Sequence, residues 1–212
     1  MKRYVTEAIG TFFLVFAIGM SAVLGTGAAP IAIGAMLMVM VYMGGHVSGA
    51  HYNPAVTLAV WMRGAMEKAD VIPYIAAQII GAWLAAGGVY LITGDTFAPA
   101  PGATFATGPV LLAEFLVTFA LVLVILNVAT SDSTKGNSYY GLAIGCTVMA
   151  GAYAVGPVSG GAFNPAVGIG PTIVDTLAGS GSLGSVWYYL VGPILGGAAA
   201  VPVFRLQSAA AP

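Results

Sequence analysis

"HVSGAHYNPAV" (residues 46–56) and "PVSGGAFNPAV" (residues 157–167) interrupt a chain that is otherwise strongly apolar. Each writes a turn of small residues and then Asn-Pro-Ala-Val, at the point where a membrane-crossing helix should be ending. In both, Asn stands immediately before Pro (Asn53-Pro54 and Asn164-Pro165). That is an N-cap followed by the first helical position, where the amide hydrogen proline lacks would have had no partner anyway. A new helix should therefore start at each motif. The apolar pieces that follow, residues 53–63 and 164–175, are eleven and twelve residues long. Crossing a hydrocarbon core takes roughly 17 to 25 residues, so these pieces fit re-entrant half-helices.

The rest of the chain supports a membrane setting. Its 212 residues are 59% hydrophobic and 6% charged, with a mean hydropathy of +0.95; a soluble domain carries about a quarter charged residues. Six stretches are long enough to cross: 4–24, 30–46, 71–92, 109–130, 139–155 and 186–206. The fold class expected is an all-α membrane protein with six transmembrane helices and two half-helices. Met1-Lys2-Arg3 before an apolar run resembles a signal peptide, but the run continues to Leu24 and more spans follow it, so it reads as a retained first span. A net charge of −1 and the lack of a basic run argue against a nucleic-acid partner. Cys146, alone in an apolar segment, reads as a small buried filler. Nothing in the sequence calls for a metal or a cofactor.

Lys2, Arg3, Arg63, Lys68, Lys135 and Arg205 are all the basic residues the chain has. Threading six spans from a cytoplasmic N-terminus puts all of them on the cytoplasmic side, which places both termini there, in the cell's inner or plasma membrane. The loop at 93–108 is then exterior and joins two pseudo-repeats, 1–92 and 109–206, of one channel domain. Aligning residues 45–56 with 156–167 (164 − 53 = 111) gives eight identities in twelve positions. "TEAIGTFFL" (residues 6–14) likewise echoes "AEFLVTFAL" (residues 113–121), pairing Glu7 with Glu114 and Thr11 with Thr118. Each unit holds three spans, an odd number, so the second is inverted in the membrane. Inverted repeats place their site at the repeat interface near the midplane.

The two motifs should meet there. Asn53 and Asn164 can cap their own helices through the side-chain oxygen, leaving their amide NH2 groups to face whatever lies between. Each half-helix start carries about +0.5 of an elementary charge, so the meeting point repels cations. A water molecule accepting from both amides has its oxygen occupied and cannot relay a proton. In "VSGAHY" and "VSGGAF" the backbone is expected to be extended, with the carbonyls of Gly49, Ala50, His51, Gly160, Gly161 and Ala162 as acceptors along an aqueous path. Non-helical backbone at this depth needs such a setting.

Here the chain resembles the aquaporin and glycerol-facilitator family. The resemblance covers nearly its whole length: the Glu-x-x-x-Thr-Phe pattern of spans one and four, "SGAHYNPAVT", "QIIGAW" (residues 78–83), "SGGAFNPAV" and "VGPILGG" (residues 191–197). It implies a passive, non-enzymatic pore for water and small neutral solutes in a lipid bilayer, assembled as a homotetramer. The pore midplane would be Asn53, Pro54, Ala55, Asn164, Pro165 and Ala166. It also implies that Glu7 and Glu114 are scaffold carboxylates holding the re-entrant loops; a proton relay, the other reading of carboxylates in apolar helices, would defeat the midplane barrier. In most members the second motif continues into Arg. Here that position is Val167, and the other constriction positions carried over by spacing are Ile33, Ala152 and Gly161. The expected constriction is wide, apolar and without a cation. Gly168, where glycerol facilitators usually carry Asp, fits that branch poorly.

The reading is thus a water pore with leak of ammonia, glycerol, urea or hydrogen peroxide. The alternatives are a channel mainly for a small neutral solute or gas, and a closed-pore structural protein. His46, near the inner mouth, is either a packed residue or a pH gate, since imidazole titrates near neutrality. The Gly141/Gly145 and Gly192/Gly196 spacings favour close helix approach. An intramembrane protease built on Ser48 and His51 is disfavoured because the duplicate of His51 is Ala162. An ion-coupled transporter should place acidic side chains near the midplane, where this chain has Asn and Ala.

Overall fold

The computed structural model describes residues 1–208. Helices α1 (Lys2–Val23), α2 (Ala29–Ser48), α4 (Lys68–Thr93), α5 (Thr107–Ala129), α6 (Tyr140–Ser159) and α8 (Val186–Ser208) alternate with the shorter α3 (Pro54–Arg63) and α7 (Pro165–Ala178). The six longer ones, α8 counted with the turn that leads into it, are long and apolar enough to cross a membrane. The half-helices have 10 and 14 residues. Together they form an all-α inverted repeat, with α1–α4 in one half and α5–α8 in the other.

The half-helices start where Asn-Pro predicts. Asn53 and Asn164 have extended backbone, and each side chain accepts from the amide two residues on, at Ala55 and Ala166. The preceding spans run further than their apolar stretches suggest. Helices α2 and α6 continue through Ser48 and Ser159, and stop only at Gly49 and Gly160, whose φ values of +88° and +89° are left-handed. The stop signal is the glycine that can take that conformation, not the end of the apolar run. The segments after these glycines are not simply extended either: Ala50, Tyr52 and Phe163 also have φ near +50°.

Packing follows the duplication. Helix α1 lies on α4 as α5 lies on α8, α2 meets α6 across the repeat interface, and each half-helix packs on the last span of the opposite repeat, α3 on α8 and α7 on α4. Small residues permit these approaches, as expected where lipid supplies no hydrophobic drive between helices. A Cβ on Gly81 would overlap the Ala8 carbonyl, and one on Gly196 the Phe115 carbonyl. Gly34 and Gly145 face each other's carbonyls across the α2–α6 contact. The Gly141/Gly145 and Gly192/Gly196 spacings serve these contacts within the chain. Ile72, Leu91 and Leu112 project outward, exposed, as on spans that face lipid. Cys146 is exposed as well, contrary to its reading as buried filler. Hydropathy cannot separate a lipid-facing position from an interior one.

Candidate functional site at the meeting of the half-helices

The two Asn-Pro-Ala tips are tied together. Asn53 Nδ2 donates to the Phe163 carbonyl and Asn164 Nδ2 to the Tyr52 carbonyl, both at 2.9 Å, while the two Oδ1 atoms cap their own helices, also at 2.9 Å. One expectation needs correcting. Each carboxamide spends one N–H on the opposite repeat, so a single N–H per Asn, rather than the whole NH2, is left for anything between the tips.

Behind the tips sit two buried carboxylates. Glu7 Oε1 accepts from Ser48 Oγ (2.6 Å) and His51 N (3.0 Å), and its Oε2 from Tyr52 N (2.7 Å) and Gln78 Nε2 (2.8 Å). Glu114 Oε1 accepts from Ser159 Oγ (2.7 Å) and Ala162 N (3.1 Å), and its Oε2 from Phe163 N (2.7 Å). Tyr74 and Tyr189 add hydroxyls to the Ser48 and Ser159 carbonyls at 2.8 and 2.7 Å. The positive-φ residues are thus held from behind by ionic and phenolic groups. The carbonyls of Gly49, Ala50, His51, Gly160, Gly161 and Ala162 have no protein donor among the described residues; they are acceptors without a partner.

A cavity of about 240 Å³ contains both asparagines in its wall together with Ile33, Ala152, Gly161 and Val167. All four residues carried over by spacing therefore border one space. Its wall, apart from His51, has no titratable side chain other than tyrosine. Two further cavities, of about 470 and 650 Å³, lie toward the face that holds Lys135 and Arg3, and His46 and Gly49 line both. The first cavity shares Ala50, Ile125 and Ile144 with the second, and His51 and Ile125 with the third. Adjoining cavities thus run from Pro30 and Pro157 at one face to Arg3 and Lys135 at the other.

The motifs alone do not reveal the rest of the wall, but the repeat does. Applying 125 − 18 = 107 to the first span of each half pairs Leu14 with Leu121 and Ile18 with Ile125; applying 144 − 33 = 111 pairs Ile33 with Ile144, Leu37 with Val148 and Val56 with Val167. All ten line the central cavity. Gln78 also escaped sequence reasoning except as part of a motif; it bridges Glu7 to Thr57 Oγ1 at 2.8 Å to each, and Thr57 in turn lies 3.1 Å from His51 Nδ1.

Comparison with known proteins places this geometry. Residues 1–204 match the family described as Major intrinsic protein. Aquaporin NIP1-1 of Zea mays is 38% identical, with the match covering 97% of this chain and 74% of the relative. Nodulin-26 of Glycine max is 35% identical over 97% of this chain and 78% of its own length. In fold, the chain is similar to the aquaglyceroporin from Plasmodium falciparum (TM-score 0.85, 21% identity, covering 97% of this chain and 98% of that one). With two asparagine-tipped half-helices buried inside six spans and a family match over almost its full length, the chain belongs to the major intrinsic protein family, a family of membrane channels and not of enzymes.

Proposed function

We propose that the chain is a passive water pore that also leaks small neutral solutes such as ammonia, glycerol, urea and hydrogen peroxide. The observation that carries this is the string of cavities passing both asparagines, with a central wall free of Asp, Glu, Lys and Arg. A water at the midplane accepts the one remaining N–H of each Asn and gives its hydrogens to the carbonyls of Gly49, Ala50 and His51 on one side and of Gly160, Gly161 and Ala162 on the other. Its oxygen is then saturated, so proton hopping is broken there. The two helix N-termini, at about +0.5 charge each, repel cations. Pro54, Ala55, Pro165 and Ala166 build the tips, and Glu7 and Glu114 hold the loops that carry the carbonyls.

The outer ring of Ile33, Ala152, Gly161 and Val167 offers neither a cation nor a side-chain donor. Selectivity in such pores reduces to diameter, lining groups and electrostatic barriers, so this ring rejects little beyond size. Both termini face the cytoplasm, on the side of the six basic residues, and the chain assembles as a homotetramer in the bilayer. His46, exposed at the inner mouth and lining both inner cavities, stands where a gate would act. The test is swelling of proteoliposomes. Val167→Arg should lower glycerol and urea uptake more than water flux, and an equal loss of both would remove the ring from the account. A second reading, a channel mainly for a less polar solute or gas, is favoured by the aliphatic wall of Leu14, Ile18, Leu37, Leu121 and Ile125. It would be supported by ammonia flux with water flux near that of protein-free vesicles.

A further inference from the structure

The inverted repeat gives every residue of the outer ring a mate on the inner side of the asparagines. At the spacing of 111, Ile33 maps to Ile144, Ala152 to Val41 (152 − 111), Gly161 to Ala50 and Val167 to Val56. The mate ring is equally apolar but larger: Val replaces Ala and Ala replaces Gly, while Ile and Val are retained. The same chain therefore carries two rings of one design, and the inner one has the bulkier side chains.

Burial points to the inner ring as the tighter of the two. All four outer-ring residues border the central cavity, and so do three of their four mates, Ala50, Val56 and Ile144. Toward the inner side Val41 lines the next cavity and not the central one, and Ala50, Ile125 and Ile144 line both. Val41, Val56, Ala50, Ile125 and Ile144 are all buried, with 1–7% of their surface accessible. In the outer ring Val167 is as buried, at 2%, but Ile33, Ala152 and Gly161 remain partly accessible. Ala50 holds its methyl in place with a left-handed φ of +51°, and the amides that follow it, of His51 and Tyr52, are fixed to Glu7.

We infer that discrimination among uncharged solutes is made at this inner neck, formed by Val41, Ala50, Val56, Ile125 and Ile144, and not at the outer ring. The inference rests on the channel reading above. A solute reaching the neck from outside has already passed the asparagines. It then meets aliphatic carbon on most sides and the unpartnered Ala50 carbonyl on the remaining one. The neck therefore admits molecules by girth and favours those that can donate one hydrogen bond while losing the rest of their hydration. Water and ammonia satisfy both conditions; glycerol is limited by girth.

The experiment converts one ring into the other. Val41→Ala combined with Ala50→Gly gives the inner ring the composition of the outer one. Ala50→Gly alone is the conservative variant, since glycine accepts the positive φ without strain. Ile33→Ala widens the outer ring as the control. In stopped-flow swelling, the double variant should raise the ratio of glycerol to water permeability about tenfold, the scale of one or two methylenes in an apolar passage. Ala50→Gly should raise it in the same direction by less, and Ile33→Ala should leave it within the error of wild type. A protein that conducts water but keeps its ratio in both inner variants, or shifts as far with Ile33→Ala, overturns the neck alone. Swelling no faster than protein-free vesicles in the wild type and in every widened variant overturns the channel reading and the neck together.

Discussion

The two re-entrant loops carry nearly the same motif and are built differently. Around Glu7 the carboxylate collects four donors, among them Gln78 from α4; around Glu114 it collects three, from Ser159 at the end of α6 and from the loop amides of Ala162 and Phe163. The residue at the Gln78 position in the second half is Pro193 (78 + 115), on the spacing that pairs Gly81, packed on the Ala8 carbonyl, with Gly196, packed on the Phe115 carbonyl. Proline offers the carboxylate no side-chain donor, whereas Tyr74 and Tyr189, mates at the same spacing, make the same bond to the Ser48 and Ser159 carbonyls. Thr57, which receives Gln78, is matched by Gly168, where any Cβ would press on Tyr189. The second half thus lacks both the amide of Gln78 and the hydroxyl of Thr57 that the amide meets. A duplicated site can keep its backbone geometry while one of its copies loses part of the support.

The strongest way to break the comparison is to remove the carboxylates. Each buried donor left unpaired costs roughly 1–3 kcal/mol. Glu7→Ala should therefore lower thermal stability in detergent more than Glu114→Ala, by about one such donor; equal losses would mean that Gln78 contributes nothing. Next in size, Gln78→Leu should cost about 1–2 kcal/mol and bring the first loop to the donor count of the second. The cost is moderated because Gln78 Oε1 is buried without a partner among the described residues. The smallest and sharpest contrast lies in the paired threonines. Thr11 Oγ1 donates to the Glu7 carbonyl at 2.8 Å, whereas Thr118 Oγ1 is buried without a partner among the described residues. Thr11→Val should cost about 1 kcal/mol and Thr118→Val close to nothing or a slight gain, read as melting temperatures of the two variants.

The legible and illegible features separate along physical lines. The half-helices could be read because Asn-Pro is a local capping signal and because length against hydrocarbon thickness is arithmetic. The arrangement of two opposed halves followed from an odd number of spans per repeat. That Glu7 and Glu114 lie behind the loops came with the family resemblance, and the sequence contained no hint of Gln78 as a fourth donor. The ends of α2 and α6 were misplaced because hydropathy marks where residues stop being apolar, and Ser48 and Ser159 stay helical until a glycine can turn left-handed. The donation from each Asn to a carbonyl of the other repeat was invisible, since no local pattern records which backbone group will lie across a fold interface. Cys146 shows the same limit in another form: an apolar helix does not announce which of its faces meets lipid.

The exchange of hydrogen bonds between Asn53 and Phe163 has a consequence for assembly. During synthesis Asn53 emerges 110 residues ahead of the carbonyl it will donate to (163 − 53), and most of the second half must be threaded through the bilayer before that carbonyl exists in place. Until then the first re-entrant loop has an amide with no permanent acceptor and a short helix with no floor beneath its tip. The bond that ties down the first tip can therefore form only after α5 and α6 are in place, so neither repeat closes its loop alone.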